Sequence, residues 1–379
     1  MICDDAAVGR AAASGQLVSV VVPTYCEAAN LRLLIPRIHD SLAAASLSYE
    51  IIVVDDDSPD NTTQVCDELG RDFPVRLIVR TSVRGLATAV ITGMESARGE
   101  LIVCMDADLS HPPESIPHLI DALAVPTVDL VIGSRYVAGG ETDEHWGIFR
   151  WLNSRIATWM ARPLTSAKDP MAGFFALRRE MFRRAHSRLD PVGYKIGLEL
   201  MVKANCRSVV EVPITFHDRA HGESKLSWRE QLNYLRHLGR LYAFRFEAGT
   251  CFVKFGLVGS SGVAVDLTAY WLLLSRLPVV WASALAIWLA MTWNFFLNRQ
   301  VTFPKARRRR FYRQYLLYCL SCLAGAVVNL IVRVALSSTH QFFADHLLFG
   351  AIAGIGCGFV LNYLICRNVV FSPTHGTGL

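Results

Sequence analysis

LIVCMDADLSHPPE, Leu101–Glu114, decides the reading of this chain. An unbroken apolar run from Leu101 to Met105 is what a strand covered on both faces looks like. Asp106 and Asp108 then stand one residue apart at its tip, and a polar loop follows. A strand has no use for two carboxylates at its end, but a ligand site beyond the end of a strand does.

Working outward, three earlier segments repeat the pattern of apolar run, polar loop and helix. "LVSVVVPTY" reads as a buried strand, and "EAANLRLLIPRIHDSLAAA" follows with apolar residues at helical spacing. "YEIIVVDDDSPD" opens into a loop before "NTTQVCDELG", and "VRLIVRT" precedes "ATAVITGMESA". Val/Ile/Leu runs alternating with helices predict an α/β domain on a mostly parallel sheet, Rossmann-like in its winding. In such sheets ligands bind beyond the carboxyl ends of the strands. Pro23, Tyr25 and Glu27 follow the first strand, Asp55 to Asp57 the second, and Asp106 and Asp108 the fourth. Paired carboxylates there suit Mg²⁺ or Mn²⁺, which in turn hold phosphate oxygens. No Gly-x-Gly-x-x-Gly or Walker A loop follows the first strand, which argues against dinucleotide oxidoreductases and P-loop NTPases.

The chain has 379 residues, of which 52% are hydrophobic and 19% charged. Its mean hydropathy of +0.30 is high for a soluble enzyme, and the excess lies beyond about Glu247. Four segments there are long enough to cross a bilayer, roughly Phe252–Leu274, Val279–Phe296, Tyr315–Leu336 and Leu347–Cys366. Asp266 and Arg333 lie within or near the ends of these spans, where charge is expensive. The loop between the second and third spans carries Arg299, Lys305, Arg307, Arg308, Arg309, Arg310 and Arg313. The positive-inside rule puts that loop, and with four spans both chain ends, in the cytoplasm. A basic loop between spans is a topology determinant and a contact for anionic lipid, so no nucleic-acid partner is expected. "NFFLNRQVTF" and "NYLICRNVVF" end the second and fourth spans, aligning Asn294 with Asn362, Arg299 with Arg367 and Phe303 with Phe371. Two related helix hairpins in the same orientation explain this.

Residues 1–16 contain two acids and no continuous apolar stretch, so they are expected as a disordered leader rather than a secretory signal. The ten cysteines show no paired zinc spacing, and Cys319 and Cys322 lie inside an apolar run. The expected organisation is a catalytic domain over 17–226, an amphipathic interfacial region over 227–249 and a membrane domain over 250–372. In the interfacial region Leu232, Leu235, Leu238, Leu241 and Tyr242 recur at helical spacing, with Arg229, Arg236 and Arg240 between them.

"VVPTYCEAANL", "VVDDDSPDNT", "GLATAVITG", "DADLSHPPE", "GSRY", "DPMAGFFALRRE", "GYKIGLEL" and "EVPITFHDRAHGESKL" occur in this order. The ordered set closely resembles the dolichyl-phosphate mannose synthases, members of glycosyltransferase family 2 with the GT-A fold, over about residues 17–245. The four spans resemble the membrane domain that some prokaryotic members carry. The resemblance implies that Pro23, Tyr25, Glu27, Val54 and Asp56 hold the guanosine part of a GDP-mannose donor. It implies that Asp106, Ala107 and Asp108 bind the ribose-diphosphate end, with Asp106, Asp108 and Ser110 on the metal side. Many relatives have Gln where this chain has the shorter Ser110, so water completes the coordination. Arg135 and Arg150 correspond to residues that meet the acceptor phosphate, and Arg219 and Lys225 to residues that close over the donor phosphates. Asp108, Arg135 and Arg150 are thus the expected catalytic set. The acceptor implied is a dolichyl or polyprenyl phosphate, and the product a β-linked polyprenyl-phosphate mannose. Alternatives are a UDP-glucose-dependent polyprenyl-phosphate glucosyltransferase and a lipid-linked-sugar flippase with a regulatory N-terminal domain. A processive polysaccharide synthase would carry Gln-x-x-Arg-Trp and more spans, which are not found.

Overall fold

The computed structural model describes residues 15–372 other than 83, 143–147, 191, 192, 194, 217–227, 305 and 307–309. The expected leader falls almost wholly outside the described residues. The chain divides into two compact units, one ending at Arg245 and one beginning at Phe246.

The first unit is built on a sheet of seven strands: β1 (Val18–Thr24), β2 (Tyr49–Asp55), β3 (Val75–Val79), β4 (Leu101–Cys104), β5 (Leu130–Ser134), β7 (Phe175–Arg178) and β8 (Val209–Pro213). Their order is β3-β2-β1-β4-β7-β5-β8. Two short strands, β6 (Glu141–Thr142) and β9 (Thr215–Phe216), form a separate parallel pair. The chain winds outward from β1 to β3, then returns to the other side of β1 at β4. Between β1 and β4, therefore, lies a switch in winding direction, where the loops leave a crevice. β7 runs antiparallel to both β4 and β5, and every other neighbouring pair is parallel.

Alternation along the strands fills both faces. Val18, Val20 and Val22 of β1 enter one core with Ile51 and Val53, while Val21 enters the other with Ile52 and Val54. The helices that cover these faces include α1 (Ala28–Ala44), α2 (Thr62–Leu69), α3 (Leu86–Ser96), α4 (Ile116–Leu123), α5 (Ile148–Ala161), α6 (Arg179–His186) and α7 (Ile196–Lys203). The last helix of the unit, α8 (Trp228–Arg245), carries the expected amphipathic pattern. One side of it is core: Leu238 and Leu241 are buried, and the Tyr234 and Tyr242 hydroxyls donate to the Ala157 and Met160 carbonyls of α5. The other side is open: Leu232 and Leu235 are exposed, as are Leu152, Ile156 and Trp159 of α5. A groove of about 460 Å³ between the two helices is lined by Trp159, Leu235 and Tyr242 among others.

The second unit consists of α9 (Glu247–Leu273), α10 (Val279–Leu297), α11 (Phe311–Thr339), the short α12 (Gln341–Asp345) and α13 (Leu347–Ile365). With the π turns that extend α10 to Thr302 and α13 to Val370, four of these are long and apolar enough to cross a membrane. The chain is a multi-pass membrane protein. The first expected span ends one residue beyond α9, and the other three lie within α10, α11 and α13 with their π turns. Trp271, Trp281 and Leu257 face outward, as side chains in lipid do.

The two hairpins repeat in three dimensions. Small buried residues Ala282, Ala286 and Ala290 of α10 have counterparts in Gly350, Gly354 and Gly358 of α13. Each hairpin ends in a π turn, and the aligned Phe303 and Phe371 stack on each other at 4.9 Å and 9°. Two cross-hairpin pairs correspond as well, Phe255 with Tyr363 at 5.6 Å and Tyr318 with Phe295 at 5.5 Å. Within the second hairpin the backbones touch: a Cβ on Gly358 would stand 2.5 Å from the Gly325 carbonyl oxygen. Only helix separation relieves such a contact, so Gly358→Ala is expected to destabilise the membrane unit by about 1–3 kcal/mol. Gly356→Ala, with nothing within 4 Å, is the control and should be neutral or stabilising. Thermal denaturation of both variants in detergent checks the contrast, and equal stabilities would contradict the close packing.

Candidate active site

Three loops converge at the carboxyl edge of the sheet, after β1, β2 and β4, and each contains a non-glycine residue with positive φ: Cys26 (60°), Asp57 (58°) and Leu109 (61°). Left-handed backbone is unfavourable for such residues and collects at functional sites, where the surroundings hold it. Hydrogen bonds tie the first two loops together. The Cys26 N–H donates to Ser58 Oγ at 2.8 Å, Ser58 Oγ donates to Asp55 at 2.5 Å, and the Ala28 N–H donates to Asp60 at 3.2 Å.

The residues expected to hold the nucleoside line this edge unequally. Tyr25 is 46% exposed, and Glu27 accepts from Asn30 at 2.5 Å. Pro23 is a buried position of β1. Val54 has no exposed surface, and its side chain belongs to the core against Val21. Asp56 is buried too, and its carboxylate accepts from the Arg80 guanidinium and, at 2.7 Å, from the Gly85 N–H that opens α3. Its visible work is to bind the β2 loop to the start of α3.

The two aspartates follow directly on β4. Met105 N–H still reaches the Val21 carbonyl at 3.2 Å, and the chain then turns away from the sheet. The Asp106 side chain is about one-third exposed (32%), Ala107 is buried, and Asp108 is 6% exposed. Ser110 is buried and donates to Asp108 Oδ1 from its hydroxyl at 2.5 Å and its N–H at 3.2 Å. That turn sets the direction of the Asp108 carboxylate. Among the described residues no group of three His, Cys, Asp or Glu side chains forms a metal cage. Two carboxylates and a hydroxyl gathered on one turn beyond a strand end fit Mg²⁺ or Mn²⁺, which keep water and substrate phosphate among their ligands.

Facing this turn is a cationic group that the linear sequence only half discloses. Arg135, at the end of β5, forks onto Asp169 through Nε at 2.7 Å and Nη2 at 2.8 Å, and its own N–H also donates to that carboxylate. Asp169 is fully buried. Its N–H, with that of Lys168, donates to Glu211 of β8. The Arg135 guanidinium lies 5.1 Å over the Phe216 ring. Burial works against its charge, but the Asp169 hydrogen bonds and charge outweigh that and raise its pKa. Lys195, one residue before α7, donates to the Met171 carbonyl at 3.2 Å. Burial and then Arg135 pull its ammonium below the usual range, against Asp169 and Asp106. Arg150 lies in α5, four residues before Ser154, whose hydroxyl meets the Tyr136 hydroxyl at 2.7 Å beside Arg135. Its side chain, and all of Arg219 and Lys225, lie outside the described residues.

Sequence reasoning did not single out Asp169, Lys195 or Arg80, nor His111, whose ring sits under Asp106. Asp169, Lys195 and His111 lie inside the quoted motifs, but nothing in those motifs says which side chain turns inward.

Comparisons with known proteins bear on both units. Residues 19–185 match the family model for glycosyl transferase family 2, and residues 254–371 that for the GtrA/DPMS transmembrane domain. The chain is 42% identical over 360 residues to a dolichol-phosphate mannosyltransferase of Pyrococcus furiosus, covering 94% of this chain and 99% of that one. It is 41% identical over 238 residues to the dolichol-phosphate mannosyltransferase of Saccharomyces cerevisiae, covering 61% of this chain and 88% of that one. Among solved structures, mannosyl-3-phosphoglycerate synthase from Rubrobacter xylanophilus superposes with a TM-score of 0.50 at 24% identity, over 65% of this chain and 79% of that one. That likeness shows the GT-A-like fold.

Proposed function

Since the chain belongs to the dolichol-phosphate mannosyltransferases, joining a glycosyl transferase family 2 domain to a GtrA/DPMS transmembrane domain, we propose that it transfers mannose from GDP-mannose to a dolichyl or polyprenyl phosphate. The reaction runs at the cytoplasmic membrane face, where the Arg-rich loop between the second and third spans is retained.

The observation that carries this reading is the gathering of opposite charges around one turn: Asp106 and Asp108 on the turn itself, Lys195 within the field of Asp106, and Arg135 acting, like both aspartates, on the His111 ring beneath. A nucleoside diphosphate alone would be repelled by the carboxylates. Mg²⁺ or Mn²⁺ bound to Asp106 and Asp108 would neutralise the diphosphate and make it a better leaving group. Arg135, held by Asp169 through Nε and Nη2, would meet the second anion, the lipid phosphate, with its remaining donors. Its planar donors suit a phosphate better than a point charge does. The acceptor oxygen is already anionic and needs no general base. It forms the new bond to the anomeric carbon as the bond to the diphosphate breaks, GDP leaves, and the configuration inverts to β. Arg150 would share the acceptor phosphate with Arg135. Arg219 and Lys225 would close over the donor, next to Tyr25 and Glu27 at the nucleoside end.

The exposed apolar faces of α5 and α8 fit the same reading. A lipid acceptor keeps its chain in the bilayer, and α8 ends at Arg245, two residues before the first span begins at Glu247. Leu232, Leu235 and Trp159 then rest in the headgroup layer, with arginines at its polar edge. GDP-mannose and UDP-glucose, each labelled in the sugar, are to be offered with a short polyprenyl phosphate and Mg²⁺ or Mn²⁺. Label is expected in lipid from GDP-mannose. Transfer from UDP-glucose alone would move the chain to the glucosyl branch, and no transfer from either would favour a lipid-linked-sugar flippase.

A further inference from the structure

One side chain beneath the carboxylate turn has no part in the chemistry above. His111 is 3% exposed. Its ring is stacked on Phe174 at 5.3 Å and 24° and met edge-on by Phe216 at 5.5 Å. Three segments distant in sequence thus clamp the imidazole: its own loop, the approach to β7, and β9. Its Nδ1 accepts the Asp106 N–H at 3.2 Å. In the neutral ring the proton then sits on Nε2. The same Nδ1 stands 3.8 Å from Asp106 Oδ2, beyond hydrogen-bond reach, so the ring holds the main chain of the turn. Gly173 closes the other side. A Cβ there would stand 3.0 Å from Asp106 Oδ2 and 3.4 Å from His111 Cε1, so only a bare backbone lets the carboxylate lie where it does.

Backbone amides demand a partner once they leave a ladder. Here Met105 makes the contact back to β1, and the next amide, Asp106, is taken by the imidazole. Fixing that amide fixes the rotation of the Asp106 peptide, and with it the spacing of Asp106 from Asp108. We propose that His111 is a positioning residue for the divalent cation, acting through the Asp106 N–H to hold the two carboxylates at ligand spacing. The inference rests on the donor reading given under Proposed function.

The test compares full-length wild type with His111→Asn, His111→Gln and His111→Ala in detergent. Asn carries its carbonyl oxygen near the place of Nδ1 and keeps the acceptor. Gln extends toward the place of Nε2 and loses it. Mn²⁺ affinity is read by electron paramagnetic resonance, and GDP affinity by calorimetry with and without Mn²⁺. Gln and Ala are expected to weaken Mn²⁺ binding about 10- to 100-fold, the range for a partner that orients a metal ligand. Asn should recover most of this, and GDP affinity without metal should not change in any variant. Asn binding Mn²⁺ no better than Gln would overturn the inference, as would wild-type Mn²⁺ affinity in Gln. A parallel loss of metal-free GDP affinity would also overturn it, because it would mark His111 as general packing. Wild type whose GDP affinity ignores Mn²⁺ would instead sink the donor reading, and this inference with it.

Discussion

Asp108→Ala is expected to lower mannosyl transfer by roughly 10²–10³-fold or more, the loss typical of removing one electrostatic contact to a transition state. The fold should survive. Asp108 is buried, but it lies in the loop beyond the end of β4 at Cys104, and Ser110 of the same turn donates to it, so the substitution changes a loop and not a strand. The measurement is the initial rate with GDP-mannose and polyprenyl phosphate at saturating Mn²⁺, beside the melting temperature. Ser110→Ala separates the two tasks in the turn: if the hydroxyl only aims Asp108, its loss should be milder than that of Asp108 itself. Near-normal turnover by Asp108→Ala, or full wild-type rates in excess EDTA, would remove the carboxylate turn from the chemistry.

The second large effect concerns Arg135 and Asp169. Asp169 is fully buried and the Arg135 side chain is 11% exposed, so removing either partner strands the other charge. Breaking such a pair destabilises by about 3–5 kcal/mol, whereas replacing both partners is far milder. Arg135→Ala is therefore expected to lose both stability and transfer, the latter at least about tenfold if the guanidinium grips the lipid phosphate. The double variant Arg135→Ala/Asp169→Asn distinguishes the causes. It should regain most of the melting temperature, because no buried carboxylate is left unpaired, yet remain poor in transfer, with a raised Michaelis constant for polyprenyl phosphate and normal GDP affinity. Recovery of transfer together with stability would show that Arg135 is a structural ion pair and leave the acceptor phosphate to other residues.

Much of the architecture was legible in the chain, because it is written in local terms. Continuous apolar runs such as Val18–Val22 and Ile51–Val54 need cover on both sides wherever they fold, so an α/β sheet followed from composition and period alone. The four spans followed from length and apolarity, and the hairpin repeat from aligned Asn, Arg and Phe residues. Two aspartates at a strand tip pointed to a cation and phosphate before any contact was known. Local pattern was a poorer guide to α8, whose leucines looked alike in sequence. Leu238 and Leu241 turned to the core, which they share with Ile196, Leu198 and Leu200 of α7, and Leu232 and Leu235 to the outside.

What tertiary structure alone decided is which of the polar residues work on each other. β7 enters the sheet antiparallel between β4 and β5, and no periodicity in "FALR" announces that direction. Its placement brings the segment before it, with Asp169 and Gly173, against Arg135 and Asp106. The fold lays Arg80 and the Gly85 amide against the carboxylate of Asp56, one of the expected donor residues. His111 read as part of a loop, and became the acceptor for the Asp106 amide once Phe174 and Phe216 enclosed it. Period and hydropathy depend on neighbours a few residues away and survive in the bare sequence. Hydrogen bonds and ion pairs between segments depend on strand order, and strand order is set by the free energy of burying the whole sheet at once.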